Sequence, residues 1–273
     1  GISYTVEKKW FDGTENKYVS WPDDQTEVVF YLYQTLAGTA LDLDKPSLIL
    51  TLTREGDNIT AKLEVVEDSF EKEDEEPGLT SNTIIGDESG YTTVITGLPR
   101  YDENGEPYEY ILLEQSNVYA TYENEVDKDG NYTSTVTNHI GDGEGTFRIM
   151  VRKIWNDGGD EQHREPVKLQ VYNRATGLPY EKDGFNNTIT LGEDGIWYEV
   201  VWIPKQTESS SGDGDGVDSA EDIYIVETAM GDSQVTYGNN DYSYNSLYNP
   251  PANSGVINSV TTSNHRYQVT YTY

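Results

Sequence analysis

The sequence contains no cysteine, so neither a disulfide bond nor a thiolate metal site is available to it. Basic residues are also scarce, because 18 Lys and Arg stand against 49 Asp and Glu, for a formal net charge of −31. Nucleic acids and anionic membranes are bound through cationic patches. The charge balance therefore argues against both as partners and predicts an acidic, solvated surface.

Long apolar runs and helical periodicity are missing as well. The sequence shows no signal peptide or transmembrane run, and we expect it to be a segment of a larger protein. No long stretch spaces its apolar residues as an amphipathic helix does. Short segments rich in Thr, Val and Tyr recur instead, with 22 tyrosines and 5 tryptophans in all. This composition is typical of strands and predicts an all-β protein with an aromatic core.

A weak internal repeat divides the chain in two. One unit opens with VEKKWFDG (6–13) and the other with VRKIWNDG (151–158). Each closes on a Thr-rich strand, YTSTVTN (132–138) in the first and YQVTYTY (267–273) in the second. The order of the short strands in between is also similar, so both halves are expected to share one fold.

A glycine-rich connector, GDGEG (141–145), separates the two halves. Each half is cut into short strands by turn residues, and its length of about 130 residues suits a β-sandwich. The sequence predicts two sandwich domains in tandem, at 1–141 and 146–273.

Strand parity places a lysine on the buried side of the first strand. Side chains alternate between the two faces of a strand, so Val6, Lys8 and Trp10 share one face. Val and Trp mark that face as the core, and lysine is rarely buried without a partner. The same arrangement recurs around Lys153, so both lysines need a chemical partner.

Two more polar side chains of the first unit fall on inward faces. Glu114 shares a face with Leu112 in YILLE, and Asn138 shares a face with Val136 in VTNHI. Burying these groups separately would cost on the order of several kcal/mol each. We therefore expect Glu114, Asn138 and Lys8 to lie together.

Such a cluster has a chemical consequence. Burial lowers the pKa of a lysine and raises that of a glutamate. A neutral Lys8 amine can then attack the side-chain carbonyl of Asn138, while a protonated Glu114 hydrogen-bonds the amide oxygen and moves protons as ammonia leaves. The resulting amide closes a loop that, by the entropy model for disulfides, stabilises by ~5 kcal/mol. The alternative is a buried ion pair beside a hydrogen-bonded asparagine.

These segments resemble Cna B-type domains, the immunoglobulin-like repeats of Gram-positive surface adhesins and pilins. The resemblance rests on VEKKW at the start, LPRYDENGEPYEYILLE (98–114) in the middle and VTNHI at the end of the first unit. It spans nearly the whole chain in two copies.

The resemblance implies two tandem immunoglobulin-like sandwiches with a stalk role and no enzyme activity, cofactor or metal. It also implies a self-formed isopeptide bond between Lys8 and Asn138, promoted by Glu114. We expect an extracellular, cell-wall-anchored protein whose anchor lies outside this segment. Its expected partners are neighbouring domains of the same protein, and no part of the segment is expected to insert into a membrane.

The second unit departs from the family pattern at its end. Lys153 and Glu227 occupy the expected positions, but VTYTY puts Tyr271 where such domains carry asparagine. In this alignment no bond forms, and Lys153 and Glu227 remain an ion pair that the Tyr271 hydroxyl caps. A shifted register would bring in Asn264 instead, because a slip of one residue exchanges the faces.

A Tyr- and Asn-rich loop at 237–255 supports a second function, a ligand-binding module. Its side chains Tyr242, Tyr244 and Tyr248 can present rings to a glycan or a host matrix protein. The alternative is that these rings pack over the second sandwich.

The remaining signals are weaker. A Gly/Asp-rich tract carries Asp213 and Asp215 but has Val217 and Tyr224 where an EF-hand loop needs ligands, which favours a solvated loop over a calcium site. Lys205 only loosely matches a sortase-linked pilin lysine. The three histidines show no metal spacing. A glycosidase needs only two carboxylates and stays open as a remote third function.

Overall fold

The computed structural model describes residues 1–73, 76–82, 90–116, 118–155, 161–210, 212, 214–230, 233–234, 256–262 and 265–271. These residues form strands joined by turns and three 3-10 helices, Glu67–Ser69, Glu161–His163 and Ala220–Asp222. The predicted all-β class is confirmed. Within this described part, no helix has the length and apolar character needed to cross a membrane.

The chain divides into two compact units, Gly1–Glu144 and Gly145–Tyr273. The first unit is a sandwich of two sheets, ordered β6-β7-β1-β10-β9, with β2 also on β1, and β5-β4-β3-β8. Its strands are β1 (Ile2–Asp12), β2 (Lys17–Val19), β3 (Glu27–Leu36), β4 (Leu48–Glu55), β5 (Asn58–Val65), β6 (Gly78–Asn82), β7 (Tyr91–Leu98), β8 (Tyr108–Glu114), β9 (Ala120–Val126) and β10 (Tyr132–Ile140).

The first and last strands of this unit are neighbours. β1 pairs with β10 in parallel, and the other strand pairs in the described part of the chain are antiparallel. Burial alternates strictly along β1 from Ile2 to Trp10, so the predicted inward face of Val6, Lys8 and Trp10 is confirmed. The inward faces of both sheets meet in one core rich in aliphatic and aromatic side chains.

β8 is buried on both faces rather than one. Ile111 and Leu113 point away from the core that holds Leu112, yet both are fully enclosed. The connection after β3 explains part of this burial, because the Tyr33 hydroxyl donates to the Leu43 carbonyl at 2.8 Å and Tyr33 pairs with Ile111. The strand that carries Glu114 is therefore held from both sides.

Two aspartate turns fix the entry into β8 and β10. Asp102 Oδ1 accepts hydrogen bonds from the backbone N–H of Asn104 and Glu106, at 2.9 and 2.7 Å. Asp127 Oδ1 accepts from the backbone N–H of Asp129 and Asn131 in the same way. Such side-chain turns start a strand at a defined residue. Hydrogen bonding lowers the pKa of both aspartates.

The second unit also contains two sheets, ordered β14-β11-β18-β17 and β13-β12-β15-β16. β18 pairs with β11 in antiparallel fashion, unlike β10 and β1 in the first unit. Its strands are β11 (Thr146–Trp155), β12 (Val167–Asn173), β13 (Thr188–Leu191), β14 (Tyr198–Pro204), β15 (Ile223–Met230), β16 (Ser233–Gln234), β17 (Val256–Thr262) and β18 (His265–Tyr271).

Gly90 lets β7 approach the backbone of β1 closely. It precedes β7 and has φ = +88°, and a Cβ at this position would lie 2.2 Å from the Lys8 carbonyl oxygen. No real Cβ contact is that short, so an alanine here would push β1 away at the residue that carries the buried amine.

The Gly90→Ala variant should therefore lose more stability than a glycine variant without this contact. Gly105 is the matched control, because its φ is +83° and nothing lies within 4 Å of its Cβ position. The left-handed backbone alone costs about 1–2 kcal/mol for alanine, which is the loss expected for Gly105→Ala. Urea unfolding should show a clearly larger loss for Gly90→Ala, and equal losses would contradict the tight contact with Lys8.

Candidate functional site: a buried lysine, glutamate and asparagine

Three strands from both sheets bring polar side chains to one place in the core of the first unit. Lys8 comes from β1 and Asn138 from β10, while Glu114 ends β8 in the facing sheet. Because β1 and β10 are parallel, Lys8 pairs with Val136, and Asn138 lies two residues further along β10 on the same inward face. The amine and the amide thus belong to adjacent strands, and the carboxylate reaches them from across the sandwich.

One carboxylate oxygen contacts both other groups. Glu114 Oε1 lies 4.0 Å from Lys8 Nζ and accepts a hydrogen bond from Asn138 Nδ2 at 3.0 Å. Lys8 is 0%, Glu114 1% and Asn138 2% exposed. The structure therefore brings the three sequence-predicted residues together in a site that excludes water.

The Lys8 amine lies among backbone carbonyls and an aromatic ring, with Glu114 as its charged neighbour. Its Nζ donates to the backbone carbonyl of Lys9 at 3.0 Å and lies 4.3 Å from the centre of the Trp10 ring. Burial lowers the pKa of Lys8 to about 8, although the negative charge of Glu114 acts in the opposite direction. A lysine with this pKa gives up its proton far more readily than one in water.

The Asn138 amide is turned differently from the prediction. The sequence predicted that the Glu114 carboxyl would bind the amide oxygen, but the hydrogen bond runs from Asn138 Nδ2 to Glu114. In this orientation a carboxyl oxygen accepts from the N–H side of the amide. The amide oxygen Oδ1 is buried without a hydrogen-bond partner among the described residues.

Two residues near this site were missed from the sequence. The backbone N–H of Glu114 donates to the Tyr122 hydroxyl at 2.8 Å, which ties β8 to β9 across the sandwich. Trp10 was read only as a core residue, yet its ring lies against the Lys8 amine. Finding Tyr122 from the sequence would have required knowing that it pairs with Val136 on β10.

The second unit repeats the lysine and glutamate. Lys153 Nζ lies 3.7 Å from Glu227 Oε2, and both residues are buried. The Lys153 amine also lies 4.7 Å from the centre of the Trp155 ring. Burial lowers the pKa of Lys153 to about 8, against the opposing charge of Glu227. The local chemistry matches that of Lys8 and Glu114.

The residue opposite Trp155, which is the counterpart of Asn138 in the second unit, differs from the prediction. In the first unit Asn138 pairs with Trp10, but in the second unit Trp155 pairs with His265 and Tyr271 pairs with Ile149. The antiparallel course of β18 reverses its residue order, so Tyr271 lies beside the start of β11 and not at the position equivalent to Asn138. The alternative, Asn264, lies outside the described residues.

The other predicted site residues contribute no further geometry. Tyr242, Tyr244, Tyr248 and Asp213 lie outside the described residues. Lys205 forms an exposed ion pair with Asp218 at 3.2 Å. In the part of the chain that the structure describes, no group of three or more His, Cys, Asp or Glu is placed to hold a metal ion.

Part of the chain matches a known protein family. Residues 53–139 match the family model described as the Cna protein B-type domain. The matched range runs from the end of β4 into β10 and includes Glu114 and Asn138, whereas Lys8 precedes it. No curated protein and no solved structure matches the chain.

The Lys153–Glu227 pair should make the stability of the second unit depend on pH. The pKa of Lys153 falls from 10.5 in the unfolded chain to about 8 in the folded one, so the unfolded state binds more protons between these values. Stability then rises with pH in this window and is constant below it. From pH 8 to 9.5 we expect a gain of about 1–2 kcal/mol in the free energy of unfolding, measured by urea titration.

A variant with Lys153→Met and Glu227→Gln is the control, because it fills the same space without the titrating pair. It should show no such rise. A wild-type protein whose stability stays flat or falls relative to this variant would contradict the lowered pKa of Lys153.

Proposed function

The first unit of the chain is a Cna B-type domain, and from this premise we propose that the chain is a stalk segment of a bacterial surface adhesin or pilus. Domains of this kind are structural modules of extracellular surface proteins. We propose further that an isopeptide bond between Lys8 and Asn138 stabilises the first unit. The contact of Glu114 Oε1 with both the amine and the amide is the observation that carries this proposal.

The reaction begins with a proton transfer inside the buried pair. The Lys8 ammonium gives a proton to Glu114, which converts two buried charges into two neutral groups. In water this transfer is strongly unfavourable. Burial penalises the charged forms and so reduces the free-energy difference between the charged pair and the neutral pair. The lowered pKa of Lys8 supports this step.

The neutral amine then attacks the side-chain carbon of Asn138. A new bond forms from Lys8 Nζ to Asn138 Cγ, the bond from Cγ to Nδ2 breaks, and the attacking nitrogen passes one proton to Glu114 in place of the proton that Glu114 gives to Nδ2. Glu114 Oε1 already binds Nδ2 at 3.0 Å, so the carboxyl can protonate this leaving nitrogen. The products are a secondary amide and one molecule of ammonia, and Glu114 ends as it stood before the attack.

The fold accelerates this reaction by holding the two reacting groups in place. Primary amides are poor electrophiles, and an amine attacks them only when it is held in place. Fixed reactants can react with effective concentrations of about 10⁵–10⁸ M. The parallel pairing of β1 and β10 holds the amine and amide on one face. The same burial also keeps water from competing with Lys8 for Asn138.

The bond would change how the first unit carries tension. Force entering along the start of β1 would pass through the Lys8–Asn138 bond into the end of β10. The residues between 8 and 138 would then carry no load. This arrangement suits a stalk, because the unit would resist extension without relying on non-covalent strand pairing.

The second unit is proposed to lack the bond and to keep Lys153 and Glu227 as an ion pair. The antiparallel register of β18, which puts His265 opposite Trp155, supports this view. Such a sandwich would extend under force before the first unit does.

The remaining expectations stay proposals. We propose an extracellular, cell-wall-anchored protein whose partners are neighbouring domains of the same chain, with no cofactor and no enzyme activity on external substrates. The alternative, a role in binding glycans or host matrix proteins, rests on the loop at 237–255, which lies outside the described residues.

Intact mass under denaturing conditions should show the wild-type chain lighter than its sequence by one ammonia. Lys8→Met, Glu114→Gln and Asn138→Ala should each restore the full mass, because each removes one reacting or proton-carrying group. Lys9→Met is the matched control, since Lys9 is the adjacent lysine on the other face of β1, and it should keep the deficit. A wild-type chain at full mass would refute the bond.

The rate of bond formation should fall as the pH rises above about 8. The reactive form needs one proton on the lysine–glutamate pair, and this proton leaves with the Lys8 pKa of about 8. At pH 9 roughly one-tenth of the molecules retain it, so we expect the reaction to be about tenfold slower than at pH 7.

Unlinked chain purified from inclusion bodies in urea provides the starting material. The chain is diluted into buffers from pH 7 to 9, and mass is followed with time. A rate that increases with pH would show that the amine alone limits the reaction and that Glu114 carries no essential proton.

A further inference from the structure

Several buried side-chain atoms of the first unit lack hydrogen bonds among the described residues, and two of them belong to paired strand positions at the reacting site. Trp10 Nε1 is a donor and Asn138 Oδ1 an acceptor, and neither has a partner among the described residues. Trp10 and Asn138 are each 2% exposed. Leaving one such group unsatisfied costs about 1–3 kcal/mol, so an unmatched pair in one site calls for an explanation.

The two residues are direct neighbours. Trp10 and Asn138 are paired positions of the parallel β1–β10 ladder. Both side chains point to the inward face, because each strand buries that side. The unsatisfied donor and the unsatisfied acceptor therefore belong to adjacent side chains on one inward face, and the Lys8 amine lies over the Trp10 ring.

We propose that the Trp10 indole N–H donates a hydrogen bond to the Asn138 amide oxygen as Lys8 attacks. This inference rests on the cross-linking reaction proposed above. The oxygen gains negative charge when the carbonyl carbon becomes tetrahedral. A donor without another hydrogen-bond partner can stabilise this charge, because no existing hydrogen bond has to break first.

The proposed role complements that of Glu114. The carboxylate binds the nitrogen side of the Asn138 amide and serves the leaving ammonia. It is therefore not placed on the oxygen, where the charge develops. Trp10 supplies the donor for that oxygen, and the face of its ring contacts the attacking Lys8 amine. The amine, the amide oxygen and the leaving nitrogen thus each have a partner.

Trp10→Phe tests this inference, because phenylalanine keeps an aromatic ring and removes the N–H. Loss of a single donor to a developing oxyanion slows a reaction by about 10²–10³-fold. The experiment follows ammonia loss by mass after unlinked full-length chain is diluted from urea, and circular dichroism follows folding in parallel. We expect normal folding and a slowing of bond formation in this range.

Trp21→Phe is the matched control. Trp21 packs edge-on against Trp10 with ring centres 5.4 Å apart, but its Nε1 already donates to the Gln25 carbonyl at 2.6 Å. The Trp21→Phe substitution therefore changes the same aromatic cluster without removing a donor that faces the reacting amide. The Trp21→Phe chain should form the bond within a few-fold of the wild-type rate.

A second measurement separates a chemical role from a structural one. In the unlinked Glu114→Gln background, Trp10→Phe should cost about as much stability as Trp21→Phe, because each variant replaces a buried indole by a smaller ring. A Trp21→Phe chain that forms the bond as slowly as the Trp10→Phe chain would show that Trp10 acts through packing and would overturn the inference.

The outcomes also separate this inference from the proposed function. If the wild-type chain never loses ammonia, the cross-linking reaction itself fails. If the wild type links and Trp10→Phe links at the same rate, the reaction stands and the role of Trp10 is refuted.

Discussion

The first unit depends on the burial of one amine beside one carboxylate. Lys8 and Glu114 are both removed from water, and their Nζ and Oε1 atoms lie 4.0 Å apart. Two buried charges stabilise little in net terms, because desolvation offsets their attraction. Removing one partner is costly, at about 3–5 kcal/mol. The pair therefore contributes little to stability by itself, and the neighbouring amide is the target that the proposed cross-linking gives it.

The surrounding fold serves to hold this arrangement. Parallel pairing of β1 and β10 puts Asn138 opposite Trp10, two residues beyond the partner of Lys8 and on the inward face that holds the amine. Aspartate turns at Asp102 and Asp127 fix where β8 and β10 begin. Gly90 allows β7 to approach the Lys8 carbonyl. The second unit keeps Lys153 and Glu227 as a buried pair, while its last strand runs antiparallel to β11.

Local alternation sufficed to predict the inward faces of Lys8, Glu114 and Asn138, because each strand has a period of two and clear apolar neighbours. Strand direction was not predictable from alternation, since a strand buries the same side chains whether it runs parallel or antiparallel. The position of Tyr271 was therefore missed. The amide orientation at Asn138 and the hydrogen bond from Glu114 to Tyr122 depend on contacts between distant strands, and no local pattern encodes them.

Tandem mass spectrometry of a tryptic digest tests the covalent link between β1 and β10 most directly. Trypsin cannot cleave after an acylated lysine, so the account predicts one branched peptide that joins the segment around Lys8 to the segment around Asn138. Its mass should equal the sum of the two linear peptides less one ammonia. Recovery of both segments as separate linear peptides, with cleavage after Lys8, would contradict the account.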